Sequence, residues 1–144
     1  MDPRQFCTFY IDQQFFGIEA VVVQEVIMHQ QLNPVPLAPN DVLGVINLRG
    51  QIITAIDLRK RLGFEAGNAA ATSVSVVAQV QEELVSFMVE RIGEIVEIDL
   101  NDLEEIPGTL QGVARELLIG AYKMPEQLLL ILNPQKVANA PDAA

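Results

Sequence analysis

The stretch GVINLRGQIITAIDLRKRLG, residues 44–63, constrains the fold most tightly, because two apolar, β-rich runs meet there about Arg49-Gly50. Residues 42–48 and 51–56 read as the arms of a hairpin, with Gly50 able to take the positive φ of a tight turn. The rest of the chain reuses that form. Residues 5–11 alternate and are rich in aromatic and β-branched side chains, residues 12–14 are a polar turn, and residues 15–18 resume the apolar pattern. Residues 73–80, 84–91, 93–98, 117–122 and 127–133 read as further strands. Many short strands with few helices argue for small barrels rather than an α/β sheet, and the count predicts two.

Helical signals are brief. Residues 19–27 (EAVVVQEVI) are ambiguous: three consecutive valines favour a strand, while Val22 and Val26 at i, i+4 permit one or two helical turns, which is the reading adopted. Residues 57–63 have an acidic N-cap candidate in Asp57, three late bases and a terminal glycine, the marks of a short helix. Asn133 followed by Pro134 predicts another over 134–139. Residues 33–36 and 38–41 are proline-marked loops, residues 65–72 (EAGNAAAT) a flexible connector, residues 99–112 an acidic loop or helical turn, and the end of the chain a frayed tail. The expected domain plan over 1–144 is a first barrel near 10–64 and a second near 73–133.

Chemistry is hard to find in this composition. One cysteine and one histidine cannot make a zinc site, so no metal and no cofactor is expected. The plain reading of Cys7 is a buried small hydrophobe, and that of His29 a solvent-facing residue at an element's end. Residues 99–105 lack the glycine and the spacing of a calcium loop. Gly63-Phe64-Glu65-Ala66-Gly67 is no phosphate loop, since no Lys-Ser or Lys-Thr follows and an acid sits inside it. No nucleophile elbow accompanies His29, and Glu104 and Glu105 are adjacent, so they diverge in any regular element. The chain is expected to bind rather than catalyse.

Net charge −10 argues against a nucleic-acid partner. Residues 1–64 carry six acids and five bases, so nine of the ten excess negative charges fall in residues 65–144. With no basic leader and no apolar run long enough to span a bilayer, a soluble cytoplasmic protein without direct membrane insertion is expected.

Three features look interactive. At least one of Val21, Val22 and Val23 must point outward. Arg49 stands at an exposed bend, either as a solvated turn residue, paired at most with Asp57 or Glu25, or as a planar anchor at a protein contact. Leu100, Leu103 and Ile106, spaced by threes, would pack inward and present Asp102, Glu104 and Glu105 to solvent.

The blocks FFGIEAVVVQEV (15–26), PVPLAP (34–39), GVINLRGQII (44–53) and DLR (57–59), in that order and spacing, closely resemble the CheW-like domain of bacterial chemotaxis coupling proteins. The similarity continues more weakly through FMVERIGEIV (87–96), Ile106-Pro107 and LLLILN (128–133), so it covers the chain. It implies a mostly β fold of two SH3-like five-stranded barrels about a shared hydrophobic core. It also implies a non-catalytic adaptor, recruited to membrane receptor arrays, that joins a chemoreceptor's cytoplasmic tip to the regulatory domain of a histidine kinase. Carried residue by residue, the receptor-facing groove includes Val23, Glu25, Val26, Arg49 and Ile95, and the kinase contact includes Glu104, Ile106, Pro107 and Thr109. Val22 stands where family members often carry a charged residue, which would enlarge the exposed apolar patch. Alternatives are a scaffold for a non-flagellar pathway, such as type IV pilus motility or surface sensing, and, from another class, a small β-barrel ligand-binding or hydrolytic domain.

Overall fold

Apolar residues occur here in two kinds of run, and each dictates how its strand is used. An alternating run buries one face, whereas a continuous run such as Leu128–Leu132 buries both. In the computed structural model, which describes residues 1–28, 32–64, 74–109 and 112–139, the continuous runs lie inside two five-stranded sheets. The strands are β1 (Pro3–Ile11), β2 (Gln14–Glu19), β3 (Val23–Ile27), β4 (Val42–Leu48), β5 (Gln51–Asp57), β6 (Val74–Val80), β7 (Glu83–Val89), β8 (Arg91–Asp99), β9 (Leu118–Lys123) and β10 (Leu128–Leu132). The first sheet is ordered β8-β1-β2-β10-β9 and the second β3-β6-β7-β5-β4. The mostly β fold with few short helices is the one expected, and it fits the SH3-like pattern.

The contiguous division at 10–64 and 73–133 is not how the strands assemble. The hairpin β1-β2 joins β8, β9 and β10, and the hairpin β6-β7 joins β3, β4 and β5. Two parallel ladders enforce this exchange: Phe15, Phe16 and Gly17 of β2 pair with Leu129, Leu130 and Ile131 of β10, and Thr54 to Asp57 of β5 pair with Val85 to Met88 of β7. A parallel partner cannot be the next strand of a hairpin, so counting strands in order misassigns it.

The two halves follow one plan. Phe9 pairs with Phe16 and Ile92, as Ala78 pairs with Val85 and Val23. Helix α1 (Leu58–Arg61) follows β5 under the N-cap Asp57, and α3 (Pro134–Ala138) follows β10 under the N-cap Asn133. Each sheet curls until the chain beyond one edge strand meets the other edge. Asn33 and Val45 exchange two backbone hydrogen bonds of 2.9 Å, and Glu104 and Ala121 exchange bonds of 2.7 and 3.0 Å. A glycine precedes the bridging residue in both: a Cβ on Gly44 would lie 2.4 Å from the Asn33 carbonyl oxygen, and one on Gly120 would lie 3.1 Å from that of Glu104.

Among the described residues three apolar clusters result. Phe6, Phe15, Ile98, Leu129 and Ile131 fill the first sheet's concave side, and Ile46, Ile53, Ala55, Val77 and Met88 fill the second's. The largest cluster lies between the sheets, with Phe9, Phe16 and Ile18 from one and Ile56, Val76 and Phe87 from the other. Burial raises the Asp57 carboxyl above its ordinary range, although the backbone N–H groups of Lys60 and Arg59 oppose that shift. The helices are tied across the seam. Arg59 reaches Glu90 at 2.7 Å and Asp12 at 3.1 Å, while buried Arg61 pairs with buried Asp41 at 2.5 Å and donates to the Val137 carbonyl of α3 at 2.8 Å.

Several local expectations change. Residues 19–27 form one 3-10 turn, Ala20–Val22, and then β3, because Val23 and Val26 find partners on β6. Residues 99–112 hold to the expected acidic loop or helical turn, with a 3-10 turn at Leu100–Asp102, but a helix not expected, α2 (Val113–Leu117), leads into β9. The connector 65–72, Ser73, His29 and the tail beyond residue 139 lie outside the described residues.

Arg61→Ala leaves Asp41 as an uncompensated buried charge. Urea unfolding is expected to show a loss of about 3–5 kcal/mol.

Candidate protein-docking site

At the β4-β5 bend Leu48 pairs with Gln51, leaving a two-residue turn of Arg49 (φ 52°) and Gly50 (φ 85°). Positive φ at both positions is the type I′ hairpin turn, which suits asparagine, aspartate or glycine in the first place. Asn47 Oδ1 accepts the Gly50 N–H at 3.0 Å and fixes the turn. An arginine there costs about 1–2 kcal/mol in backbone strain. Of the two acids the sequence offered, the structure selects Glu25: Arg49 Nη2 donates to Glu25 Oε2 at 2.8 Å, joining the β4-β5 turn to β3 at the opposite edge of the sheet. The Arg49 side chain is 75% exposed and that of Glu25 26%, so the pair contributes only about 0–1 kcal/mol. Stability alone does not account for the arginine. Glu25 Oε1, meanwhile, is buried without a hydrogen-bond partner.

Val23 and Val26 stand opposite Ala78 and Val76, on the face of β3 that borders the shared core, whereas Glu25 stands opposite Val77, toward the second sheet's own cluster. Val26 remains exposed. The outward valine of the triplet is Val21, 80% exposed at the rim of a cleft it lines with Arg4, Gln5, Glu19 and Ala20. Val22 packs against the shared core, so the apolar patch grows at Val21 rather than at Val22. Ile95 is 62% exposed on β8, the edge of the first sheet, where it stands opposite Cys7. Thus Glu25 and Arg49 are in contact, Val23 and Val26 flank Glu25 on β3, and Ile95 belongs to the other sheet. Sequence reasoning passed over Ile52, exposed beside the Arg49 turn, and Leu37, fully exposed at φ 63°.

The second predicted set lies on one segment. Leu100 and Leu103 pack against the first sheet's cluster and Ile106 against the shared core, while Asp102, Glu104 and Glu105 are exposed. Arg115 donates to the carbonyls of Ile106 and Pro107 at 3.3 and 3.0 Å, and Lys123 approaches Glu104 at 3.5 Å. Pro107 and Thr109 line a cleft of about 330 Å³ with Gln14, Phe64, Leu128 and Leu130.

Cys7 is half-buried, and burial pushes its thiol up and away from reactivity. Among the described residues no three His, Cys, Asp or Glu side chains gather as a metal site, and no helix is long and apolar enough to cross a membrane.

A family model described as the CheW-like domain matches residues 5–142. The chain belongs to the CheW-like domain family. It is 27% identical over 138 residues to the chemotaxis protein CheW of Treponema pallidum, covering 92% of this chain and 81% of that protein. Against the chemotaxis protein CheW of Thermotoga maritima it is 34% identical over 97 residues, 67% of this chain and 64% of that one. The scaffolding protein TtCheW from Thermoanaerobacter tengcongensis has the same fold, with a TM-score of 0.84 at 24% identity over 98% of this chain and 97% of its own.

Within this CheW-like domain, strain relief and the lost ion pair nearly cancel at residue 49. Arg49→Gly is expected to change unfolding free energy by no more than about 1 kcal/mol in a denaturant titration.

Proposed function

We propose that this CheW-like domain is a non-catalytic adaptor that couples chemoreceptors to a chemotaxis-type histidine kinase at the cytoplasmic face of receptor arrays. The observation that carries this reading is Arg49, an exposed guanidinium held at a strained turn position by an ion pair too weak to explain its presence. Arginine at such a place is an anchor for a protein partner.

The receptor's helical tip would seat apolar side chains against Val21, Val23 and Val26, with Ile95 of the other sheet as further lining, while Arg49 and Glu25 fix its register by polar contacts. The kinase's regulatory domain would meet the segment Glu104, Ile106, Pro107 and Thr109, where the cleft beside Leu128 offers apolar area. Arg49 and Glu25 belong to the second sheet and the segment from Glu104 closes the first, and one core joins the sheets, so a partner at one is held at fixed geometry to a partner at the other. Receptor state then reaches the kinase as differential contacts in two arrangements.

Titrations against a chemoreceptor tip fragment and, separately, a kinase regulatory domain test the assignment. Arg49→Ala is expected to weaken receptor binding about tenfold or more with kinase binding intact, and Thr109→Arg the reverse. Folded variants that bind both partners as tightly as the parent chain would overturn the reading.

A further inference from the structure

Glu25 has a counterpart on the other sheet. Val26 stands opposite Val76 as Ile95 stands opposite Cys7, and Val23 stands opposite Ala78 as Ile92 stands opposite Phe9. Both edges carry a register shift between those two points, so VQEV at 23–26 and IGEI at 92–95 occupy equivalent places, with Glu94 in the position of Glu25. The surroundings differ in one respect. Lys123 pairs with Leu128 as Asn47 pairs with Ile52, so the β9-β10 turn carries Pro125-Glu126 where the β4-β5 turn carries Arg49-Gly50. Lys123 is directed to Glu104, and Arg91 lies over the Tyr10 ring at 4.0 Å. Glu94 is exposed, and among the described residues no ion pair reaches it.

Its backbone is held firmly. Thr8 Oγ1 donates to the Glu94 carbonyl, and a Cβ on the preceding Gly93 would lie 2.5 Å from that hydroxyl, so the bulged strand is pressed onto β1. Bulges of this kind aim a side chain rather than extend a ladder. Glu94 is next in sequence to exposed Ile95, in the half of the chain that carries nine of the ten excess negative charges.

We infer that Glu94 is a second polar anchor of the docking surface and receives a lysine or arginine supplied by the partner, replacing the cation that Arg49 supplies to Glu25. This rests on the adaptor reading and adds to it the partner's chemistry: a helical tip whose apolar strip, seated on Ile95, is flanked by a basic side chain.

The test is titration of a chemoreceptor tip fragment into the full chain, Glu94→Gln, Glu94→Lys and Arg49→Ala, at low and at high salt. Glu94→Gln is expected to weaken binding about three- to tenfold and Glu94→Lys further, with both losses shrinking as salt screens the contact and thermal unfolding unchanged. Unchanged or tighter binding by Glu94→Gln, with Arg49→Ala still defective, overturns the Glu94 assignment and leaves the adaptor reading standing. Unchanged binding by both variants overturns the two together.

Discussion

The parallel ladders β2·β10 and β5·β7 are the constraint from which the remaining architecture follows. Phe16 sits in one beside Leu130 and stacks on Phe9 with ring centroids 6.3 Å apart, while Phe87 sits in the other beside Ile56. All five side chains belong to the cluster between the sheets. Because each ladder joins strands from different halves of the chain, neither sheet is complete until both halves are in place. The halves of the chain are therefore not two prefolded units, and pulling them apart would break backbone ladders as well as apolar contacts. Pairing at such sequence distance also makes loop closure a large part of the folding barrier.

That rigidity gives the surface features their meaning. Arg49 and Glu25 meet only because the second sheet curls far enough to bring the β4-β5 turn to β3, and the curl is tight enough at Gly44 to exclude a Cβ. Arg61 extends the same logic to the helices, bonding Asp41 at the start of β4 and the carbonyl end of α3 with one buried guanidinium. An adaptor gains from such stiffness, since a compliant scaffold would absorb the small displacements it has to transmit.

Much of this was legible in the sequence, and what was not has identifiable causes. The strands and the two capped helices could be read because alternation, Asp57 and Asn133 are local signals. The assignment of residues 19–27 failed since the valines satisfy either period, and only the pairing with β6 decides for β3. Strand exchange left no local mark: parallel partners are chosen by apolar faces far apart in sequence. Arg49 could be singled out at once, but its choice of Glu25 over Asp57 depends on closure of the sheet. Glu94 was overlooked because VQEV and IGEI match at only one position, and their equivalence appears only in the register.

Where two halves share one plan, their differences are the informative part. A pair of equivalent edges would offer the same chemistry twice, whereas unlike edges fix the orientation of a partner that spans both. The halves diverge at the relevant points. One edge glutamate is paired by its own chain and the other is open, one bulge holds Gln24 and the other Gly93, and one closing bridge uses neutral Asn33 while the other uses Glu104, within reach of Lys123. The shared features, the bridging glycines, capped helices and parallel ladders, are those that any such sheet needs in order to close. The unshared ones cluster on the edges, where they add little to stability and change what a partner meets.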